Sequence, residues 1–578
     1  MGQPTEERVL QRAQSWTQAP YDEETRRQVQ QMIDEGSDEL TEAFYRDLEF
    51  GTGGLRGIMG PGTNRVNRYT IAMATQGLCN YIRQCGIENP KAAIAFDCRY
   101  NSAEFARTAA EVFAANGVQA YLFESLRPTP ELSFAVRQLG CTTGIVVTAS
   151  HNPPEYNGYK VYWNDGGQIV APHDANIIAE VRKMEGIEQV RTDFDESLIQ
   201  VLGKEMDRMY LQAIRNLYLL NDAQAASELK VVFTPLHGTS VMLVPDALRE
   251  AGFTHTALVK EQSNPDPAFS TVESPNPEER EALTMALAQG EESGADIILG
   301  TDPDADRVGI AVRNLKGELE LLNGNQAASV LIYYLLEKWK ELGKLQGNEF
   351  VCKTVVTSDL LGEIARDYGV NTYETLTGFK YIADVIARKE GSEVFIGGGE
   401  ESYGYLVGDL VRDKDAVISS VMLCEAAAWA KSRGSSFYEL LLDIYARYGC
   451  FHESLISVTR KGREGAEEIK MLMETLRNRP PLQLGGVPVM LRKDFQAQEV
   501  LNLENGQREP IGLPKSNVLQ FVLQDGSKIT ARPSGTEPKI KFYFSLKAPL
   551  STTTDLDRVW SDLGARTEQM VSELPIPG

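Results

Sequence analysis

The run Ala92-Ala-Ile-Ala-Phe96, then Ser102–Asn116, then Gln119-Ala-Tyr-Leu-Phe123 and Gly144-Ile-Val-Val-Thr148, decides the fold class. The first, third and fourth segments are short apolar runs that read as strands. The second reads as a helix. Strands separated by helical stretches of about 10–15 residues make βαβ units and a parallel sheet. The same rhythm returns twice. Lys230–Thr234, Thr256–Val259 and Asp296–Gly300 read as buried strands of a second block. Phe350–Val356, Thr372–Glu374 and Glu393–Ile396 read as strands of a third, with helices such as Gln326–Leu342 and Val417–Ser432 between them. From about Phe451 the pattern changes to alternating runs, including Val518–Leu523, Lys528–Ala531 and Lys539–Leu546. Gln524-Asp-Gly-Ser527 joins the first two as a hairpin turn.

The expectation is an α/β protein: three α/β domains with mixed, largely parallel sheets, and a C-terminal α+β domain. The boundaries read as 1–205, including a polar helical extension from Glu6 to about Glu35, then 206–320, 321–452 and 453–578. The chain has 578 residues, with 58 Lys and Arg against 81 Asp and Glu, a net charge of −23. At 42% hydrophobic and 24% charged it is ordinary globular protein, not a disordered chain. So acidic a balance argues against broad binding of nucleic acid or of an anionic membrane. An anionic small substrate remains open, provided that basic residues gather locally. No apolar run approaches the length of a membrane span. The N-terminus has no apolar stretch of signal-peptide type. Seven scattered cysteines without a C-x-x-C pair read as reduced thiols, so the expected location is cytoplasmic.

In parallel α/β sheets ligands gather at the loops leaving the C-terminal ends of strands. Four such loops stand out. Thr148-Ala-Ser-His-Asn-Pro-Pro-Glu-Tyr-Asn-Gly-Tyr-Lys160 carries a hydroxyl, Ser150, in a rigid polar loop. It is either a nucleophile loop or a capped turn. A Ser–His hydrolase pair is disfavoured, because neighbours in sequence rarely make that hydrogen bond and the G-x-S-x-G elbow is absent. Asp302-Pro-Asp-Ala-Asp-Arg307 places three carboxylates at alternate positions. Their mutual repulsion favours a bound cation, and oxygen ligands suit Mg²⁺, Ca²⁺ or Mn²⁺. The bland alternative is a solvated acidic turn. Gly397-Gly-Gly-Glu-Glu-Ser-Tyr-Gly404 sets two carboxylates and a hydroxyl in flexible backbone. That suits a polyol, though glycine loops holding a glutamate are common. Arg532-Pro-Ser-Gly-Thr-Glu-Pro-Lys539 offers a guanidinium fork, two hydroxyls and a backbone able to nest an anion. Together these make an inventory for phosphoryl transfer. ATP or NAD dependence finds no support, since no P-loop and no helix-opening G-x-G-x-x-G is present.

In this order, the four motifs closely resemble those of the α-D-phosphohexomutase superfamily, the phosphoglucomutases and phosphomannomutases. Thr148-Ala-Ser-His-Asn-Pro resembles the phosphoserine signature and Asp302-Pro-Asp-Ala-Asp-Arg307 the metal loop. Gly399-Glu-Glu-Ser resembles the sugar-specificity loop and Arg532-Pro-Ser-Gly-Thr-Glu-Pro the phosphate loop. The length, the helical extension, Thr234-Pro-Leu-His-Gly238 and Ser274-Pro-Asn-Pro277 resemble the long bacterial phosphoglucomutases and the related phosphopentomutases.

The resemblance implies four domains around a central cleft, with residues 453–578 as a phosphate-binding lid. It implies a phosphate on Ser150 and Mg²⁺ held there by Asp302, Asp304 and Asp306. The implied reaction interconverts α-D-glucose 1-phosphate and glucose 6-phosphate, with glucose 1,6-bisphosphate as intermediate and activator. Lys160 takes the proton-transfer role, with support from His151, and Arg56 stabilises the phosphoryl group. Substrate contacts fall on Arg307, Thr377, Gly378, Lys380, Glu400, Ser402, Arg412, Lys414, Arg532, Ser534, Gly535 and Thr536. Phosphomannomutase, phosphopentomutase, or a sugar bisphosphate synthase or phosphatase are the alternatives. The expected partner is a small phosphosugar, with no nucleic acid or membrane, for a monomer or homodimer.

Overall fold

The computed structural model describes residues 6–51, 53–460, 462–534, 539–550 and 552–575. They fall into two compact units. The first runs to Asn323 and takes back Phe379–Gly397 and Ser402–Arg433. The second holds Gly324–Gly378, Gly398–Glu401 and the chain from Gly434 onward.

In the first unit a six-stranded sheet runs Gly54–Ile58, Tyr156–Trp163, Thr143–Val147, Lys91–Phe96, Gln119–Phe123, Ile199–Leu202. The last four are mutually parallel, and the first two join antiparallel. Thr143–Val147 is buried at every residue. Its Thr-Gly-Ile-Val-Val run lacks alternation, as a strand covered on both faces should. The sequence places Tyr156 to Lys160 in the serine loop, whereas Tyr156–Trp163 is a strand. It forms a strand because Gly158 lets two backbones close in: a Cβ there would stand 2.6 Å from Thr148 O and 2.8 Å from Leu55 O.

A second sheet runs Leu319–Leu322, Val308–Arg313, Ile297–Thr301, Lys230–Thr234, His255–Leu258. The last three are parallel and the first two antiparallel. Mixed, largely parallel sheets are thus what both blocks contain. The N-terminal extension is three helices, Glu6–Ser15, Glu23–Glu35 and Asp38–Phe44. They pack around Trp16, Phe44 and Tyr69. The chain breaks where Trp16 stacks on Tyr21 at 4.3 Å, and Asp22 caps the second helix by accepting the Thr25 N–H at 2.8 Å.

The buried helix Ala416–Ser432 is capped by Asp415, which accepts the N–H groups of Val417 and Ile418. Tyr210 O–H donates to the same carboxylate at 2.6 Å. Burial pushes the Asp415 carboxyl up to about 6, although these hydrogen bonds pull it down. The folded chain therefore holds this proton more tightly than the unfolded chain does. The stability it contributes is complete below the usual carboxylate range and is lost as pH rises towards 6. Urea unfolding across that window is expected to show the decline, and Asp415→Asn to flatten it. An equal slope in the variant would remove Asp415 as the cause.

In the second unit Glu349–Thr354 and Asn371–Thr375 pair in parallel. All six residues of the former are buried. Helices Gly324–Glu341, Leu360–Asp367 and Phe437–Tyr448 accompany them. The C-terminal sheet runs Cys450–Thr459, Lys539–Ala548, Lys528–Pro533, Leu519–Leu523, Val487–Asp494, Glu499–Asn502, Arg508–Pro510, with every pair antiparallel. Helices Gly462–Asn478 and Leu556–Glu573 complete an α+β block. The expected hairpin forms: Leu523 N–H donates to Ser527 O at 2.8 Å, and Gly526 takes a φ of 85°. This block shares its compact unit with Gly324–Gly378, the first part of the third α/β block. Lys528 Nζ meets Asp359 at 2.6 Å, Lys547 Nζ meets Glu363 at 2.6 Å, and Gln520 Nε2 donates to Val355 O at 2.9 Å. No described helix is long and apolar enough to cross a membrane.

Candidate active site

Ser150 lies just past the C-terminal end of Thr143–Val147, where parallel sheets gather ligands. Its backbone is left-handed, with a φ of 53°. A serine held there carries strain that its surroundings must maintain. Thr148 Oγ1 helps by accepting the Ser150 N–H at 2.8 Å. The Ser150 hydroxyl is buried and donates to Asp302 Oδ2 at 2.7 Å. His151 Nδ1 stands 3.3 Å from Ser150 Oγ, a contact that sequence adjacency argued against. Burial, then the charges of Arg307 and Arg56, hold the His151 imidazole well below its usual pKa.

The three aspartates follow the fully buried strand Ile297–Thr301. Asp302, Asp304 and Asp306 are themselves buried, and each offers an oxygen within 4.8 Å of the others. Left-handed Ala305, with a φ of 55°, turns the chain between them. Asp302 Oδ1 accepts the N–H groups of Asp306 and Arg307 at 3.1 and 3.0 Å. Asp304 Oδ2 accepts from the Thr129 hydroxyl at 3.0 Å and from Lys160 at 2.6 Å. Asp306 Oδ2 lies 3.0 Å from both Lys160 and Lys414. Burial, then Asp306 and Asp304, push Asp302 well above the carboxylate range. Burial acts on Asp306 as well, but Lys160, Lys414 and Arg307 outweigh it and hold that group far below.

Asp304 Oδ1 and Asp306 Oδ1 are buried without a hydrogen-bond partner. Orphaned carboxylate oxygens in a close triplet suit a divalent cation with oxygen ligands. The residues present therefore fit a metal.

The strand Tyr156–Trp163 carries Lys160 into this cluster. Burial lowers Lys160, yet Asp304 and Asp306 more than offset it, so its ammonium is held above the ordinary range. The lowered pKa expected of a lysine base is not what this arrangement gives. Lys414 reaches Asp306 because Gly404 leaves room for its stem: a Cβ at Gly404 would stand 2.0 Å from Lys414 Cδ. Arg56, on the edge strand Gly54–Ile58, donates to Asn152 Oδ1 at 2.9 Å and so touches the serine loop. Arg307 pairs with Glu278 at 2.5 Å. Lys380 stands 4.0 Å from Asp174. Arg412 is buried, donates its N–H to Ser133 Oγ and pairs with Glu390 at 3.3 Å. Its side-chain partners are Glu390, Asp409 and Val411, which are separate from Ser150, Lys160 and the three aspartates.

The second unit holds a different set. Glu400 ends the strand Val394–Glu400, and its Oε1 accepts the Gly378 N–H at 2.8 Å. Thr377 Oγ1 is buried and lacks a hydrogen-bond partner. Glu401 Oε2 accepts from the hydroxyls of Thr354 and Thr357 at 3.3 and 3.2 Å. Burial, then Glu400, raises Glu401 to about 7, while Arg532 pulls the other way. Arg532 lies on Lys528–Pro533, close enough to hydrogen-bond Tyr543. Ser534 N–H donates to Lys539 O at 2.7 Å across the base of that loop. Gly535 and Thr536 lie outside the described residues. Ser402 belongs to the first unit, in the turn before Gly404–Val407.

Several neighbours of these groups were missed from sequence: Thr129, Glu278, and the pair Asp97 and Arg99. The last two had a signal. Asp97-Cys-Arg99 directly follows the strand Lys91–Phe96, the same place that yields Ser150 and the aspartates.

Three family descriptions match in order: phosphoglucomutase/phosphomannomutase alpha/beta/alpha domain I over residues 47–187, domain II over 208–317 and domain III over 323–448. A phosphoglucomutase of Staphylococcus aureus (strain MRSA252) is 39% identical over 527 residues, covering 90% of this chain and 94% of that relative. A phosphoglucomutase of Staphylococcus haemolyticus is 37% identical over 509 residues, covering 87% and 91%. Among solved structures, the Paramecium exocytosis-sensitive phosphoprotein pp63/parafusin, a phosphoglucomutase in its open form, aligns with a TM-score of 0.65 at 17% identity, covering 91% of this chain and 96% of that one. A phosphoglucomutase/phosphomannomutase family protein from Burkholderia thailandensis aligns with a TM-score of 0.64 at 18% identity, covering 90% and 97%. The two structures share the fold, and the sequence relatives carry the kinship further: the chain belongs to the phosphoglucomutase/phosphomannomutase family, the α-D-phosphohexomutases.

Proposed function

We propose that this isomerase interconverts α-D-glucose 1-phosphate and glucose 6-phosphate through a phosphoserine at Ser150. The observation that carries this reading is the buried Ser150 hydroxyl on Asp302, at the edge of a three-aspartate cluster that Lys160 and Lys414 border. The sequence relatives, named phosphoglucomutases, favour glucose over mannose or a pentose.

In the forward half-reaction the 6-hydroxyl of glucose 1-phosphate attacks the phosphorus on Ser150. A P–O6 bond forms, the P–Oγ bond breaks, and the sugar becomes glucose 1,6-bisphosphate. One proton leaves the 6-hydroxyl and one reaches Ser150 Oγ. Lys160, bridging Asp304 and Asp306, is the carrier between them, with His151 beside the serine oxygen. The bisphosphate then reorients. Ser150 Oγ attacks its 1-phosphoryl group: a P–Oγ bond forms, the P–O1 bond breaks, the serine proton passes to O1, and glucose 6-phosphate leaves. Arg532 and Ser534 read the phosphate that is not reacting, as a bidentate fork and a hydroxyl do. Glu400, Ser402, Thr377 and Gly378 read the sugar hydroxyls, Arg56 and Arg307 steady the phosphoryl group, and Lys380 and Lys414 add positive charge. Arg412 and the loop residues Gly535 and Thr536 are further substrate contacts on this reading. Asp302, Asp304 and Asp306 would hold Mg²⁺, which when bound neutralises charge on the phosphoryl group.

The seven free cysteines fit a cytoplasmic setting, and we expect a monomer or homodimer without nucleic-acid or membrane partners. Lys160→Met should lower kcat about a hundredfold with little change in KM, as loss of a proton carrier does. Steady-state kinetics at matched thermal stability checks this; wild-type kcat would reject the role. The substrate is tested by a coupled assay on glucose 1-phosphate, mannose 1-phosphate and ribose 1-phosphate, with and without glucose 1,6-bisphosphate. Glucose 1-phosphate should give the highest kcat/KM, and the bisphosphate should raise the rate. A higher kcat/KM on either other sugar would reassign the enzyme.

A further inference from the structure

The loop that bears Ser150 is organised around a single buried cation. The Arg99 side chain is fully buried. Its Nη2 donates to the carbonyl oxygens of Ser150 at 2.6 Å and Asn152 at 2.5 Å. Its Nη1 donates to those of Pro153 at 2.8 Å and Tyr156 at 3.1 Å. Four carbonyls of one short loop thus converge on one guanidinium. The guanidinium is fixed in turn from behind. Asp97 Oδ2 lies 3.2 Å from Arg99 Nε, and Asp97 Oδ1 accepts the backbone N–H of Arg99 at 2.9 Å and the Ser102 hydroxyl at 2.7 Å. The buried ring of Phe269, from the second α/β block, lies 4.9 Å from the guanidinium. Carbonyl dipoles packed this closely repel one another unless a planar, multi-donor cation satisfies them together. Ser150 is the left-handed residue of that loop. It is from this conformation that its hydroxyl meets Asp302 Oδ2 at 2.7 Å.

We propose that Arg99 is a positioning residue for phosphoryl transfer: by clamping the carbonyls of Ser150, Asn152, Pro153 and Tyr156 it holds Ser150 in the left-handed conformation that aims its oxygen at the metal-binding aspartates. Asp97 is the anchor of that clamp. The inference rests on Ser150 as the phosphoryl carrier. Arg99 touches neither sugar nor phosphate in this account, so its effect lies in the chemical step and not in substrate affinity. Lysine keeps the charge but loses the fork, and cannot span four carbonyls.

The test loads wild type, Arg99→Lys and Asp97→Asn with phosphate from glucose 1,6-bisphosphate. Single-turnover discharge onto glucose 1-phosphate is then followed on the phosphorylated molecules alone. A merely structural role changes how much protein is loaded, not how fast a loaded molecule discharges. The expected result is discharge about a hundredfold slower in Arg99→Lys, the penalty typical of a small misplacement of a reacting group. Asp97→Asn should be slower than wild type by a smaller factor, and KM for glucose 1-phosphate should stay within about threefold of wild type. If Arg99→Lys does not fold, Asp97→Asn decides by the same rate and the same KM. Discharge at the wild-type rate in the folded variants, or a loss confined to KM, overturns the clamp while leaving Ser150 as carrier. Wild-type protein that never takes phosphate on Ser150 overturns both.

Discussion

Ser150→Ala is expected to lose mutase turnover by at least about 10⁴-fold, because removing the covalent carrier removes the route and not one stabilising contact. No neighbouring hydroxyl can replace it. Thr148 Oγ1 is engaged with the Ser150 N–H, and the Thr129 hydroxyl donates to Asp304. The variant should also fail to gain the mass of a phosphoryl group when treated with glucose 1,6-bisphosphate. Serine already bears the cost of the left-handed backbone at position 150, a cost that alanine shares, and the serine hydroxyl's contacts are with Asp302 and His151. The fold should therefore survive, and a near-wild-type thermal midpoint is the control that gives the kinetic loss its meaning. Turnover close to wild type would reject Ser150 as the carrier.

The second large effect is expected at the aspartates. Converting Asp304 and Asp306 to asparagine together should lower kcat by about 10³-fold or more, since a bound cation contributes several kcal/mol of charge stabilisation to such a transfer. The same variant should lose Mn²⁺ binding measured by titration, a readout independent of turnover. In the wild type, EDTA should abolish activity and Mg²⁺ restore it. The physical reason is the pair of orphaned oxygens: Asp304 Oδ1 and Asp306 Oδ1 are buried beside each other's charge with no donor. Lys160 and Lys414 engage the Oδ2 atoms and leave these two oxygens without a hydrogen bond. An enzyme indifferent to EDTA, or a double variant that binds Mn²⁺ as well as wild type, would remove the metal from this site.

The serine and aspartate loops were legible in the sequence for one reason. In each, an apolar strand runs straight into a polar loop, and a buried strand end leaves few places for such residues except a site. Long-range partners were not legible. Thr129 meets Asp304 across 175 positions of chain, and no periodicity encodes that. Arg412 and Lys414 looked equivalent in Arg-Asp-Lys. The fold separates them, burying Arg412 against Glu390 and Ser133 while Lys414 reaches Asp306. The strand carrying Lys160 was hidden because its pairing depends on Gly158 fitting between two other backbones, a property of three strands at once. The C-terminal hairpin was readable from its turn alone. Its attachment to the third block through Lys528, Lys547 and Gln520 was not, because each partner lies more than a hundred residues away.

The most direct test of the central claim is kinetic competence of the phosphoserine. Wild-type protein loaded from glucose 1,6-bisphosphate is mixed rapidly with glucose 1-phosphate, quenched and digested, and the Ser150 peptide is followed by mass. The account predicts one phosphoryl group on that peptide, discharged to the sugar at least as fast as kcat. A Ser150 peptide that carries no phosphate, or one that discharges more slowly than the enzyme turns over, would contradict it.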